Sequence, residues 1–152
     1  GRTVDPFAVS VANKTCGEAD FLWASDLEKE LQYTPAFVIN TGFLTRAEDR
    51  HRIENGILSQ FVFSEDSPAL IAVVRVGGLL KGDIQELVLY APGGERLVGK
   101  TKDPSPSQYA DYTWLIGKKR PTSGWKNGLY RAEYRVLRDG IEIASATFST
   151  MR

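Results

Sequence analysis

The residues that decide the fold read LYRAEYRVLRDGI, from Leu129 to Ile141. Every second position carries an apolar or aromatic side chain, namely Tyr130, Ala132, Tyr134 and Val136. Charged residues stand between them, and because side chains two apart share one face of a strand, this alternation predicts a strand with one buried face. Asp139-Gly140 follows, and Asp-Gly is a strong signal for a tight hairpin turn. The stretch therefore predicts two antiparallel strands, 129–138 and 141–148.

Six further segments upstream are typical of short strands and are separated by turn residues. They span 36–45, 57–63, 69–76, 84–91, 96–100 and 109–116. Segment 69–76 is apolar on both faces, which predicts a central strand. The charged stretch 46–54 predicts an exposed connection. Eight short strands with no helices between them predict an all-β antiparallel sandwich or barrel.

The first 34 residues follow a different pattern. Apolar side chains recur there every four residues, at Trp23, Leu27 and Leu31. This spacing predicts a short helix over 18–31, which ends before Pro35 because the residue preceding a proline resists the helical conformation. We therefore expect an N-terminal extension with a short helix over 1–34 and a β-sandwich domain over 35–152.

The Gly-Leu-Tyr triplet that ends at Tyr130 resembles the tyrosine corner of immunoglobulin-like sandwiches. The resemblance implies a structural role for Tyr130, with its ring packed at the corner and its hydroxyl bonded to nearby backbone. With Trp125 and the Arg-Asp-Gly hairpin, residues 125–148 also look like the end of immunoglobulin-like domains in bacterial envelope proteins. Ala132 stands where antibody domains have a cysteine, so the inter-sheet disulfide is absent. The resemblance implies an immunoglobulin-like antiparallel β-sandwich in a periplasmic or secreted protein.

Composition excludes several classes of function. Lys+Arg and Asp+Glu both number 19 in 152 residues, so the formal net charge is zero. Dedicated nucleic-acid binders carry a basic surface, and we therefore predict no nucleic-acid partner. No apolar run approaches the roughly 18 residues of a membrane span, which predicts no membrane insertion.

Reactive side chains are scarce. The chain has one histidine, His51, and one cysteine, Cys16. A catalytic histidine needs a positioned nucleophile, and the sequence neighbours of His51 are charged residues. Copper sites of the cupredoxin type need two histidines, and structural zinc needs four Cys or His ligands. We therefore predict that the chain is not an enzyme and has neither a metal site nor a cofactor.

Aromatic residues are the remaining candidates for a binding site. Tyr112, Trp114 and Trp125 lie close together in the sequence, and the first two share one face of their predicted strand. Aromatic faces bind sugars and peptides, but they also fill cores, so core packing is the competing interpretation of both tryptophans.

These observations favour a non-catalytic binding or assembly module that mediates protein–protein interaction in a bacterial envelope. Another protein is the expected partner. One alternative is a carbohydrate-binding module that uses surface aromatics around Trp114 and Trp125. A second alternative is an accessory subunit that docks by adding a strand to an open sheet edge. An exposed row of aromatic rings would favour sugar, and an unpaired edge strand would favour a protein partner.

Overall fold

A computed structural model describes residues 36–152 of the chain, and the predicted extension 1–34, with its helix over 18–31, lies outside these described residues. The described part contains seven strands and two short helical segments. The strands are β1 (Phe37–Leu44), β2 (Ala69–Leu79), β3 (Ile84–Tyr90), β4 (Arg96–Thr101), β5 (Tyr109–Lys119), β6 (Leu129–Arg138) and β7 (Ile141–Met151). The helical segments are α1 (Arg50–Glu54) and a 3-10 helix (Ile57–Gln60).

The strands form two antiparallel sheets, with the order β1-β2-β5 in one and β4-β3-β6-β7 in the other. The chain changes sheet after β2, after β4 and after β5, so β5 returns to pair with β2, and β6 returns to pair with β3. The prediction of an all-β antiparallel sandwich is confirmed. β2 lies between β1 and β5, as its two apolar faces predict.

The main core lies between the two sheets and is built from the inward faces of their strands. Its central side chains are Leu70, Ala72, Val74 and Val76 from β2, Leu87 and Leu89 from β3, and Tyr130, Ala132, Tyr134 and Val136 from β6. Each set recurs with a period of two, because alternate side chains of a strand face the same way. The hairpin at Asp139 and Gly140 joins β6 to β7, with both residues at positive φ.

The segment after β1 differs from its prediction. The structure corrects the strand expected over 57–63 to a 3-10 helix at Ile57–Gln60, and the connection expected over 46–54 contains α1. The side chain of Asp49 caps α1 by accepting a hydrogen bond of 2.9 Å from the backbone N–H of Arg52. Ile53 is buried against Leu44 and Val73 on the outer face of the three-stranded sheet. The cap and the buried Ile53 account for α1, while Ile57 and Leu58 of the 3-10 helix pack against the same small second core.

Ion pairs fasten α1 to the same face of the sheet. Arg75 on β2 donates to Asp111 on β5, with a distance of 3.0 Å from Nε to Oδ1. Arg50 on α1 reaches Oδ2 of Asp111 at 2.9 Å and also pairs with Glu54. The hydrogen bond from Arg75 and the charges of Arg75 and Arg50 lower the pKa of Asp111, because they favour its ionised form.

We expect this pairing to make stability depend on pH in the acid range. Since the pKa of Asp111 is lower folded than unfolded, its stabilisation is complete above about pH 4–5 and is lost as the pH falls through the folded pKa. Asp111→Asn should lower the urea midpoint at pH 7 and flatten the decline of that midpoint below pH 5. Asp103→Asn is the control, because Asp103 is exposed and forms no ion pair within residues 36–152. Parallel midpoint curves for wild type and Asp111→Asn would contradict the prediction.

Candidate functional site

The structure places both predicted tryptophan anchors in the core. Trp125 is 5% exposed and Trp114 is 8% exposed. The indole N–H of Trp125 donates to the backbone carbonyl of Ser67 at 2.7 Å, and its ring meets the edges of Phe63 and Tyr130. This burial agrees with core packing, the competing interpretation of both tryptophans, rather than with a ligand platform, although Trp125 also lines a cleft of about 310 Å³.

Tyr130 lies at the centre of the same aromatic cluster. It is 1% exposed, and its ring centroid is 5.2 Å from that of Phe63 and 5.9 Å from that of Trp125. Its hydroxyl donates to the backbone carbonyl of Lys126 at 2.9 Å, which is the upstream bond that the tyrosine-corner resemblance implies. Burial raises the pKa of the Tyr130 hydroxyl, so it remains a neutral donor at physiological pH.

Tyr112 lines a cleft of about 410 Å³ between the end of β4 and the start of β5. We call it the tyrosine cleft and define it by Lys102, Asp103, Tyr109 and Tyr112. The ring centroids of the two tyrosines are 5.1 Å apart and their planes are tilted by 53°. Gln85 and the Asp103–Pro106 loop line the rest of the cleft. Both tyrosines are half-buried, so each ring has accessible surface.

Lys102 places a positive charge against these rings. Its ammonium lies 4.9 Å from the ring centroid of Tyr112 and 5.6 Å from that of Trp114, and it donates a hydrogen bond to the Tyr112 hydroxyl. Lys102 forms no ion pair with any residue that the structure describes. The sequence did not indicate Lys102, because its contact with Tyr112 joins strands of opposite sheets.

The floor of the tyrosine cleft is held by buried polar groups. The hydroxyl of Tyr134 donates to the side-chain oxygen of Gln85 at 2.8 Å. Burial, with a smaller contribution from the charge of Asp83, raises the pKa of Tyr134 well above its usual range. The Asp83 carboxylate is fully buried and accepts two hydrogen bonds of 2.8 Å from Arg138. These paired groups fix the floor beneath Lys102 and Tyr112.

A second candidate surface is the outer edge of β7, which we call the free edge. Within residues 36–152, β7 pairs only with β6 and ends its sheet. Residues 143–151 read IASATFSTM and carry no charge and no proline. Proteins normally protect edge strands with charges, prolines or bulges. The edge strand β1 is also uncharged and has a β-bulge between Val38 and Asn40. β7 has an irregularity at Ile143 and pairs regularly with β6 over residues 144–151.

The outer face of the four-stranded sheet adjoins the free edge. Arg131 lies over the ring of Tyr90, with 5.2 Å from the guanidinium carbon to the ring centroid. Leu129 and Met151 pair across β6 and β7 and are 50% and 64% exposed. Thr147 contributes to a shallow groove of about 440 Å³ on this face. Aromatic residues, Arg and Met are the types enriched at protein interfaces.

The single histidine, His51, contacts an amide side chain among the described residues. His51 lies on α1, and its Nε2 is 3.0 Å from the amide nitrogen of Asn55. In the part of the chain that the structure describes, no group of three His, Cys, Asp or Glu residues could hold a metal ion. No helix among residues 36–152 is long and apolar enough to span a membrane.

Comparison with known proteins identifies no family. No family model and no curated protein matches the chain. It is similar to part of a β-glucuronidase from Bifidobacterium dentium, solved with coumarin-3-O-glucuronide, at 14% identity and a TM-score of 0.43, over 78% of this chain and 18% of that chain. It is also similar to part of an assigned β-galactosidase from Bacteroides fragilis, at 19% identity and a TM-score of 0.38, over 55% of this chain and 14% of that chain. The chain thus spans less than a fifth of either protein, and neither similarity bears on its ligand.

Proposed function

We propose that this domain is a non-catalytic assembly module that binds another protein at the free edge of β7. One observation carries the proposal: a long edge strand leaves its outer backbone groups unpaired among the described residues and has no charge or proline over 143–151. Such an edge favours the addition of an extended strand from a partner. The resemblance to bacterial envelope domains makes the periplasm or the exterior the compartment of the proposal.

Backbone hydrogen bonds would supply much of the affinity, and side chains beside the edge would supply specificity. Ser145, Thr147 and Ser149 are small, exposed and on the outer side of β7. They leave room for a long side chain of an added strand to reach Arg131 on the neighbouring strand β6. Interface energy concentrates in a few aromatic and Arg anchors, so Arg131 is the expected anchor of the contact.

The reactive groups that would support an enzyme are engaged in other contacts among the described residues. His51 contacts an amide rather than a nucleophile. The buried carboxylate of Asp83 is paired with Arg138, and the Asp111 carboxylate is paired with Arg75. Catalysis by acid–base or nucleophilic groups needs these groups to converge at one cleft. The pairing of both carboxylates with arginines supports the non-catalytic part of the proposal.

The test places a photo-crosslinking amino acid at Ser149 in cells that make the chain naturally. We expect one discrete protein adduct, which mass spectrometry identifies. In the purified pair, Thr147→Lys should weaken binding at least tenfold, because a lysine on the edge strand opposes strand addition. The matched control is Thr101→Lys, which places the same exposed change on β4 at the opposite edge of the sheet.

Loss of affinity in Thr147→Lys together with unchanged affinity in Thr101→Lys would support the proposal. Equal affinities in wild type and Thr147→Lys would overturn it. A hydrogen-exchange measurement on the complex adds an independent criterion, because an added strand must slow exchange of the outward-facing amides of β7. Unchanged exchange along β7 in the complex would also overturn strand addition.

A further inference from the structure

We infer that the tyrosine cleft binds a carboxylate-bearing sugar, with the carboxylate against Lys102 and the sugar ring against Tyr109 and Tyr112. This site is separate from the free edge of β7 and does not depend on the protein-binding proposal. It is formed by the β4–β5 side of the sandwich, whereas β7 lies at the opposite edge of its sheet.

The charge of Lys102 is the first step of the inference. A half-buried ammonium normally has a carboxylate partner, because desolvating an unpaired charge costs free energy. The Lys102 ammonium has three N–H donors, and within residues 36–152 its partners are the Tyr112 hydroxyl and the faces of two aromatic rings. The hydroxyl takes one donor, and ring faces are weaker partners than a carboxylate, so the other two donors can turn to an anion that enters the cleft.

The other charged groups around the tyrosine cleft permit an anion there. Asp83 adjoins it through a backbone hydrogen bond of 2.9 Å from Ser105, which lines the cleft, and its carboxylate is paired with the guanidinium of Arg138. Asp103 is the acidic residue among those that line the cleft, and its side chain is exposed to solvent at the rim. Solvent screens a charge at the rim more strongly than one against Lys102. An Asp103 carboxylate can also accept hydrogen bonds from sugar hydroxyls.

The tyrosine rings distinguish a sugar from other carboxylates. The rings of Tyr109 and Tyr112 lie 5.1 Å apart with their planes inclined by 53°, and both residues line the cleft. A pyranose ring presents flat patches of C–H groups that pack against such rings, while its hydroxyls bond polar groups at the rim. The volume of about 410 Å³ lies within the range of small-molecule sites, roughly 300–1,000 Å³.

The experiment titrates the whole chain with three probes by calorimetry: trigalacturonic acid, its methyl ester and a hexaglutamate peptide. The methyl ester keeps the sugar rings and removes the charge. We expect the acid to bind at least tenfold more tightly than the ester or the peptide. Binding should weaken as NaCl is raised from 50 to 500 mM, because salt screens the contact with Lys102.

Variants locate the site. Lys102→Met and Tyr112→Ala should each weaken binding of the acid at least tenfold. Lys102→Arg keeps the positive charge and should therefore retain most of the affinity for the acid. Lys100→Met is the matched control, because Lys100 is an exposed lysine of β4 that does not line the cleft. In NMR spectra the indole N–H of Trp114, beneath Lys102, should shift on binding and that of Trp125 should not.

The results separate the alternatives. Equal affinity for acid and ester would overturn the role assigned to the Lys102 charge. Tighter binding of hexaglutamate than of the sugar acid would identify the tyrosine cleft as a site for acidic peptides and overturn the sugar assignment. Unaltered binding in a folded Lys102→Met variant, or no binding of any probe, would overturn the site itself.

Discussion

Tyr130→Ala is expected to destabilise the domain by about 3–5 kcal/mol, because it removes a fully buried aromatic side chain and leaves a cavity. The ring of Tyr130 contacts both Phe63 and Trp125, so two neighbours lose their packing partner. The substitution also removes the hydroxyl bond to the carbonyl of Lys126. Urea denaturation at pH 7, followed by circular dichroism, measures the change in free energy of unfolding.

Two further variants separate the contributions to this effect. Tyr130→Phe keeps the ring and removes only the hydrogen bond, so it should cost about 1–3 kcal/mol. Tyr90→Ala is the control, because Tyr90 lies on the outer face of the sheet with Arg131 over its ring, and its loss should cost less than about 1 kcal/mol. Similar urea midpoints for wild type and both Tyr130 variants would show that this ring does not stabilise the core.

Arg138→Met is expected to destabilise the domain by about 3–5 kcal/mol, because it leaves the buried carboxylate of Asp83 without its guanidinium partner. Asp83 also accepts a hydrogen bond of 2.8 Å from the backbone N–H of Leu80, so a displaced carboxylate would disturb the turn before β3. The same urea measurement applies. Arg131→Met is the control, since Arg131 is an exposed arginine on the same strand.

A double substitution tests whether the unpaired charge causes the loss. Adding Asp83→Leu to Arg138→Met removes the uncompensated carboxylate, and it should recover part of the lost stability. A loss in Arg138→Met no larger than that in Arg131→Met would contradict the buried-pair interpretation. The double variant could also be less stable than Arg138→Met alone. That result would show that the hydrogen bond from Leu80 to Asp83 stabilises the turn by more free energy than the unpaired charge of Asp83 costs.

The sequence by itself determined the β6–β7 hairpin and which face of β6 is buried. The alternation over 129–138 predicted β6 with the bounds that the structure has, and the Asp139-Gly140 turn placed the start of β7. Both signals are local: the period of two follows from strand geometry, and the turn follows from the positive φ that Gly140 adopts. For the same reason the central position of β2 could be predicted from its two apolar faces.

Local sequence patterns did not predict the structure of segment 46–63. Its apolar residues serve two different clusters, since Ile53, Ile57 and Leu58 cover the outer face of the three-stranded sheet and Phe61 and Phe63 pack against the main core. A segment rich in apolar residues resembles a strand whether those residues cover the outer face of the sheet or the main core. Which face each side chain covers is decided only when the sheets are assembled.

The tertiary structure alone decided the candidate sites. Trp114 and Trp125 are aromatic residues that either bind ligands or fill a core, and packing of the two sheets buried both. Lys102 meets Tyr112 because β4 and β5 belong to opposite sheets and pass close together at one side of the sandwich. The edge position of β7 is likewise a property of strand order, since its sequence over 143–151 lacks the charges and prolines that commonly mark an edge strand. Burial, cation–aromatic contact and edge exposure all depend on distances between segments far apart in the chain, and local periodicity contains no information about those distances.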